Sequence, residues 1–231
     1  MIHILYNRVM ILACSLVLLA GCGSPPSSVK QNVQPPVSPL TCIGVLPAVP
    51  GIDSDGKTTP EKQKNLQQGA KVMNMLLSQE LGGQDKITFV SDDHISGLQM
   101  SGGENLIDIA RLVGKSINCN AILETKVWRY TERIGTKWSV EKPAAVAFDF
   151  RLIGTDSGNV LWSAKFDEEQ IPVMENLYNW SKAKTRGFTW ITADELMLEG
   201  VREKMSNSPY FKQLLQRNIK DKSLDYYDDK V

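Results

Sequence analysis

The thiol of Cys22 stands directly after Leu19, Ala20 and Gly21, at the end of an apolar run from Val9 to Ala20 that follows Arg8. A thiolate is a strong nucleophile, so a cysteine in this setting can accept a group from a donor. A basic residue, a short apolar run and small residues at its end form the layout of a secretory signal peptide. The run is about a dozen residues, well short of the roughly 20 needed to cross a bilayer. Other chemistry has little to build on. Beyond the leader there is one histidine, His94, with no Gly-x-Ser-x-Gly elbow, no Walker sequence and no glycine-rich phosphate loop. Asp53-Ser54-Asp55-Gly56 is a partial calcium-loop look-alike that lacks the continuing ligands and reads as a turn. Asp92, Asp93 and His94 are adjacent and read as helix-capping residues rather than metal ligands. Asp167-Glu168-Glu169 reads as a solvated strand end. We therefore expect no catalytic residues, no metal and no enzyme activity.

The tetrad Leu19-Ala20-Gly21-Cys22 resembles the lipobox of bacterial lipoproteins. The resemblance implies that Cys22 receives a diacylglyceryl group, that the chain is cut just before it, and that the new amino terminus is N-acylated. Apart from this covalent lipid, no cofactor is expected. Each buried methylene adds roughly 0.8 kcal/mol of membrane affinity, so two or three chains on one cysteine make a lasting anchor. Residue 23 is glycine rather than the aspartate that retains enteric lipoproteins in the inner membrane. By that resemblance the protein goes to the outer membrane, facing the periplasm.

The elements behind this anchor divide the chain into residues 1–21 as signal peptide, 22–40 as lipidated cysteine and tether, 41–220 as one domain and 221–231 as a polar tail. Five of the 11 prolines fall between 23 and 40, which makes that stretch an extended spacer able to reach some 50 Å at about 3 Å per residue. Lys plus Arg balances Asp plus Glu, 26 against 26. No basic excess points to nucleic acid or to an electrostatic grip on lipid.

Within the domain, Thr41 to Pro47 reads as a strand stopped by proline. Thr59-Pro60-Glu61 opens a helix with Leu66, Ala70, Met73, Leu77 and Leu81 at helical spacing, ended by Gly82-Gly83. Lys86 to Val90 is a second strand. Leu106, Ile109, Ala110, Val113 and Ile117 write a second helix, and Ala121 to Tyr130 a third strand. Strand, helix, strand, helix, strand favours parallel pairing. Then the period changes. Val146, Phe148, Phe150 and Leu152 alternate with polar residues, the turn Thr155 to Asn159 follows, and Val160, Trp162, Ala164 and Phe166 alternate again, as an antiparallel hairpin does. The capping box Thr192-Ala193-Asp194-Glu195 starts a helix carrying Leu196, Met197, Gly200, Val201 and Met205, and Ser208-Pro209 starts another. The expected class is α/β: a mixed sheet with helices packed on it and a helical C-terminal segment.

Cys42 and Cys119 are the two cysteines left after Cys14 departs and Cys22 is acylated. They lie beside strands one and three, which are neighbours in such a sheet, and an exported protein meets oxidising conditions. A disulfide is expected; two separately buried thiols are the alternative.

The segments Ala121 to Tyr130, Ala145 to Ile153, Asp156-Ser157-Gly158, Val160 to Ser163 and Phe166 to Glu168 together resemble the domain shared by the curli-secretion-channel lipoprotein and the lipoprotein that activates a peptidoglycan synthase. The likeness covers roughly residues 41 to 168. It implies work by docking to other proteins. The long alternating strands with which the channel protein builds its pore are missing here. All five tryptophans lie in the second half. Trp138, in the polar hairpin Gly135 to Ser139, and Trp180, beside Asn179, Ser181 and Lys182, are the candidate partner-binding residues. The expected function is that of a non-enzymatic, outer-membrane-anchored lipoprotein that binds and assists an envelope protein machine in cell-wall synthesis or export. The alternatives are a subunit of an oligomeric export or secretion channel, which leaves self-association open, and a cell-wall hydrolase.

Overall fold

In a computed structural model of the protein, the described residues are 40–51, 59–98, 105–171, 184, 186 and 189–212. Cys22, the turn Asp53 to Gly56, Trp180, the tail 221–231 and all of the tether except Leu40 lie outside them.

Among the described residues, eight strands and four helices follow in the order β1 (Ile43–Val45), β2 (Val49–Pro50), α1 (Pro60–Leu81), β3 (Ile87–Phe89), α2 (Asp92–Gly97), α3 (Leu106–Ser116), β4 (Ala121–Thr131), β5 (Ile134–Gly135), β6 (Val140–Lys142), β7 (Ala145–Gly154), β8 (Val160–Glu169) and α4 (Ala193–Ser206). The main sheet runs β3-β1-β4-β7-β8, with β2 also paired to β4, and β5 pairs with β6 in a small second sheet. β1 lies parallel to both β3 and β4, whereas β7 is antiparallel to its two neighbours, β4 and β8. The fold is therefore the mixed α/β class expected from the periodicity.

Local chemistry sets the helix limits. The Thr59 side chain accepts a bond from the Lys62 amide and Pro60 fills the first turn of α1, where its missing N–H costs nothing. Ser91 caps α2 and Asn105 caps α3. The Thr192 and Glu195 side chains complete a reciprocal capping box on α4. Asp92, Asp93 and His94 fall in α2, and the His94 ring nitrogen Nε2 pairs with the Ser116 hydroxyl at 2.8 Å.

The sheet has two unlike faces. On one, α1 and α4 bury Leu123, Val127, Val146, Phe148, Phe150 and Leu152 in a single apolar core. On the other, α3 covers only the start of β4, packing Ala110 and Val113 against Ile122 and Ile153. Beyond α3 that face is charged. Glu124 pairs with Arg151 at 2.7 Å and Lys126 at 3.1 Å, and Arg129 pairs with Asp167 at 2.6 Å. Asp149, which stands opposite Lys165, accepts a bond from the Trp128 indole.

Two irregularities in the main sheet re-aim side chains. The register shift between Val127 and Arg129 leaves Trp128 as an extra residue in β4. A second shift pairs Leu152 with Trp162 but Ile153 with Val160, leaving Leu161 extra. An inserted residue moves every later side chain to the other face. Val160 therefore does not share the core face with Trp162, as strict alternation predicts; it is 53% exposed. Trp162 stacks on Phe150 and meets Phe211.

Cys42 and Cys119 are joined by a disulfide with their Cα atoms 4.6 Å apart. The pairing Ile43↔Ala121 brings the starts of β1 and β4 together, and Asn118, at φ 58, turns the chain out of α3 and into Cys119. The bridge closes a loop spanning 77 positions, which restricts the unfolded chain. We predict no titratable thiol on the denatured, unreduced mature protein. Replacing both cysteines by serine should lower unfolding free energy by about 3–5 kcal/mol in urea titrations. Two reactive thiols would refute the bridge.

Candidate functional site

β4 carries the chain from the disulfide end of the sheet to its far end, and the candidate site is assembled there. Tyr130, near the exit of β4, donates its phenolic hydroxyl to Asp194 in the first turn of α4. Its ring lies against α1 at Gly69, where a Cβ would come within 2.6 Å of Tyr130 Cβ. Glu132 accepts from the Ala193 amide at 3.0 Å. Carboxylates at a helix start also meet the positive end of the helix dipole. Two hydrogen bonds thus fix the exit of β4 to the start of α4, and the Tyr130 ring packs on α1.

The β5–β6 hairpin grows from this junction. The Trp190 amide donates to the Lys137 carbonyl at 2.9 Å, and the Arg133 guanidinium donates to the Trp190 carbonyl. Inside the hairpin, the amides of Trp138 and Ser139 both donate to the Thr136 hydroxyl. Gly135 has φ 120, and a Cβ there would meet the Ser139 carbonyl oxygen at 2.5 Å, so only glycine fits. Gln170 completes the frame, donating to the Thr189 carbonyl and accepting from the Ile191 amide. The result is a short hairpin tied to Trp190 at its turn by a backbone bond and at its base by the Arg133 side chain.

Trp138 projects from that hairpin with 69% of its surface exposed and the Lys137 ammonium 5.1 Å from its ring centre. Beside it lies a cleft of about 440 Å³ whose lining includes Arg133, Lys137, Trp190, Leu198, Glu199 and Arg202. At its floor, Arg186 bonds both Glu199 and Glu168. Burial works against the Arg186 charge, but these two carboxylates outweigh it and hold the guanidinium charged, above its ordinary range. Arg202 is paired with Glu80 at 2.8 Å.

The residues singled out in the sequence do not converge. Cys42 and Cys119 lie at the start of β4 and Trp138 beyond its end; Cys22 and Trp180 are outside the described residues. Trp190, Arg133 and Glu132 escaped sequence reasoning. The capping box at Thr192 was a visible signal for the start of α4, but nothing local tied it to Glu132, 61 positions away. Among the described residues no group of three His, Cys, Asp or Glu side chains is placed to hold a metal ion, and no helix is long and apolar enough to cross a membrane.

No protein-family model matches the chain, and no curated protein matches it. Solved structures that align with it include the PelC dodecamer from Paraburkholderia phytofirmans, at 14% identity over 56% of this chain and 71% of that one, with a TM-score of 0.35. The LpoB C-terminal domain from Escherichia coli aligns at 16% identity over 57% and 84%, with a TM-score of 0.35. Lipoprotein GNA1162 from Neisseria meningitidis aligns at 13% identity over 64% and 96%, again with a TM-score of 0.35.

The Tyr130–Asp194 contact is open to a pH test. Burial, then the bond to Asp194, then the charges of Asp194 and Glu132 push the Tyr130 phenol well above its ordinary value of 10.0. The folded protein thus favours the neutral phenol. Its contribution is whole below about pH 10 and is lost as pH rises further. Tyr130→Phe should cost about 1–2 kcal/mol at neutral pH and remove that part of the alkaline destabilisation. Unfolding curves that keep the wild-type slope above pH 10 would exclude this role.

Proposed function

We propose that this protein is a lipid-anchored envelope protein that works without catalysis, by docking to another envelope protein and assisting a machine for cell-wall synthesis or export. In this reading Cys22 carries the lipid, residues 22–40 set the reach, and the domain sits on the periplasmic side of the outer membrane. The sequence Leu19-Ala20-Gly21-Cys22 supports the anchor. The observation that carries the docking function is Trp138: a large aromatic, mostly exposed, on a hairpin held by the bonds of Lys137 and Arg133 to Trp190. Exposing a tryptophan to water is unfavourable, and a rigid aromatic that becomes buried on association gives much contact area for little lost freedom.

Two measurements test the two halves. Cys22→Ser should leave the chain unprocessed and without incorporated labelled palmitate; label in that variant would refute the anchor. A photo-activated cross-linker at position 138 in living cells should capture one envelope protein reproducibly. Repeated failure, with the protein abundant and correctly located, would remove the docking reading, and a stable ring in detergent would mark a channel subunit instead.

A further inference from the structure

Charge around the far-end cleft is unevenly satisfied. The Arg186 charge is met by Glu199 and Glu168, and that of Arg202 by Glu80. The Glu195 carboxylate accepts from the Thr192 amide, and Glu132 from the amides of Arg133 and Ala193. Arg133 and Lys137 differ. Among the described residues neither forms an ion pair; Arg133 bonds only a backbone carbonyl and Lys137 lies over the Trp138 ring. Among the described residues the cleft therefore presents two cations without an ion pair, Arg133 and Lys137, beside two tryptophans, Trp138 and Trp190.

Placement separates the candidate occupants. The described chain begins at Leu40, just before β1, and β1 runs parallel to β4 with Ile43 opposite Ala121. The hairpin follows the other end of β4, 11 residues on, or roughly 35 Å at about 3.3 Å per residue. A chain tethered through Leu40 joins the domain at the end opposite Trp138. The attachment leaves the far end free to meet a protein in the periplasm.

We propose that the cleft and hairpin tip receive an acidic segment of the partner protein, with Arg133 and Lys137 meeting its carboxylates and Trp138 covering an apolar residue beside them. This rests on the docking reading and names the chemistry of its partner. A cleft of about 440 Å³ admits two or three side chains of such a segment, and desolvated carboxylate–guanidinium pairs supply specificity and rate.

The test uses the mature, lipidated protein in neutral detergent micelles with labelled peptides of glutamate and leucine, and with counterparts in which lysine replaces glutamate. Fluorescence anisotropy should show the acidic peptide binding roughly tenfold or more tightly than the basic one, with affinity falling as salt rises. Lys137→Glu should weaken the acidic peptide by about tenfold and Trp138→Ala by a similar factor. Both positions are exposed, so unchanged thermal midpoints should confirm the fold. Equal affinity for the two peptides, or binding indifferent to Lys137→Glu, would overturn the proposal. Quenching of Trp138 by brominated phosphatidylglycerol in vesicles would assign the surface to the membrane and also overturn it. So would a self-associated dimer that Lys137→Glu dissolves. If the cross-linker at position 138 captures a partner through a segment that is not acidic, this inference falls while the docking reading stands.

Discussion

The structure depends on the continuous pairing of β4. It joins the parallel and antiparallel parts of the sheet, with β1 and β2 on one edge and β7 on the other. Its residues Ala121, Ile122, Leu123 and Val127 are fully buried. Each of its backbone donors and acceptors must find a partner in that dry interior, because an unpaired one costs about as much as a lost hydrogen bond. Once β4 is in register, both ends of the molecule follow. Its start is bridged to β1 through Cys119 and Cys42, and its exit is bonded to α4 through Tyr130 and Glu132.

From this strand the two faces diverge in character. The face under α1 and α4 is aromatic and aliphatic, with Phe148 stacked on Phe166 at 5.2 Å, and it supplies most of the apolar burial that stabilises the fold. Beyond α3 the other face keeps its polar side chains and ties them in cross-strand pairs such as Glu124–Arg151 and Arg129–Asp167. Such pairs add little stability where water reaches them. They do resist register slips, because a shift of one residue would send Glu124 and Arg151 into the apolar core. The bulge at Trp128 works within this scheme. It lets Arg129 stay on the charged face while Tyr130 turns inward toward Gly69 and Asp194.

Much of this was legible in the residues. Thr59-Pro60, Gly82-Gly83 and the Thr192–Glu195 box mark helix ends by local chemistry, and the alternation from Val146 to Leu152 places their side chains on the core. The neighbouring positions of Cys42 and Cys119 followed from strand order alone. What stayed hidden depends on sequence-distant contacts. No local pattern marks an extra residue at Leu161 or Trp128, so Val160 was read onto the wrong face. The candidate surface was half visible: Trp138 stands out in a polar hairpin, whereas Trp190 and Arg133 acquire meaning only when the segment before α4 folds back onto β5 and β6. Trp180 and Cys22, named from sequence, lie outside the described residues.

The described domain has unlike ends: a bridged end at Cys42 and Cys119, and a far end that presents the exposed Trp138 with Lys137 beside it. Single-cysteine accessibility in native envelopes tests this polarity. Trp138→Cys and, at the opposite end, Asp85→Cys would each be labelled with a maleimide, in envelopes and after purification. Position 138 should be shielded in envelopes and reactive once purified, while position 85 should react in both. Equal labelling of position 138 in the two states, or shielding confined to position 85, would contradict this polarity.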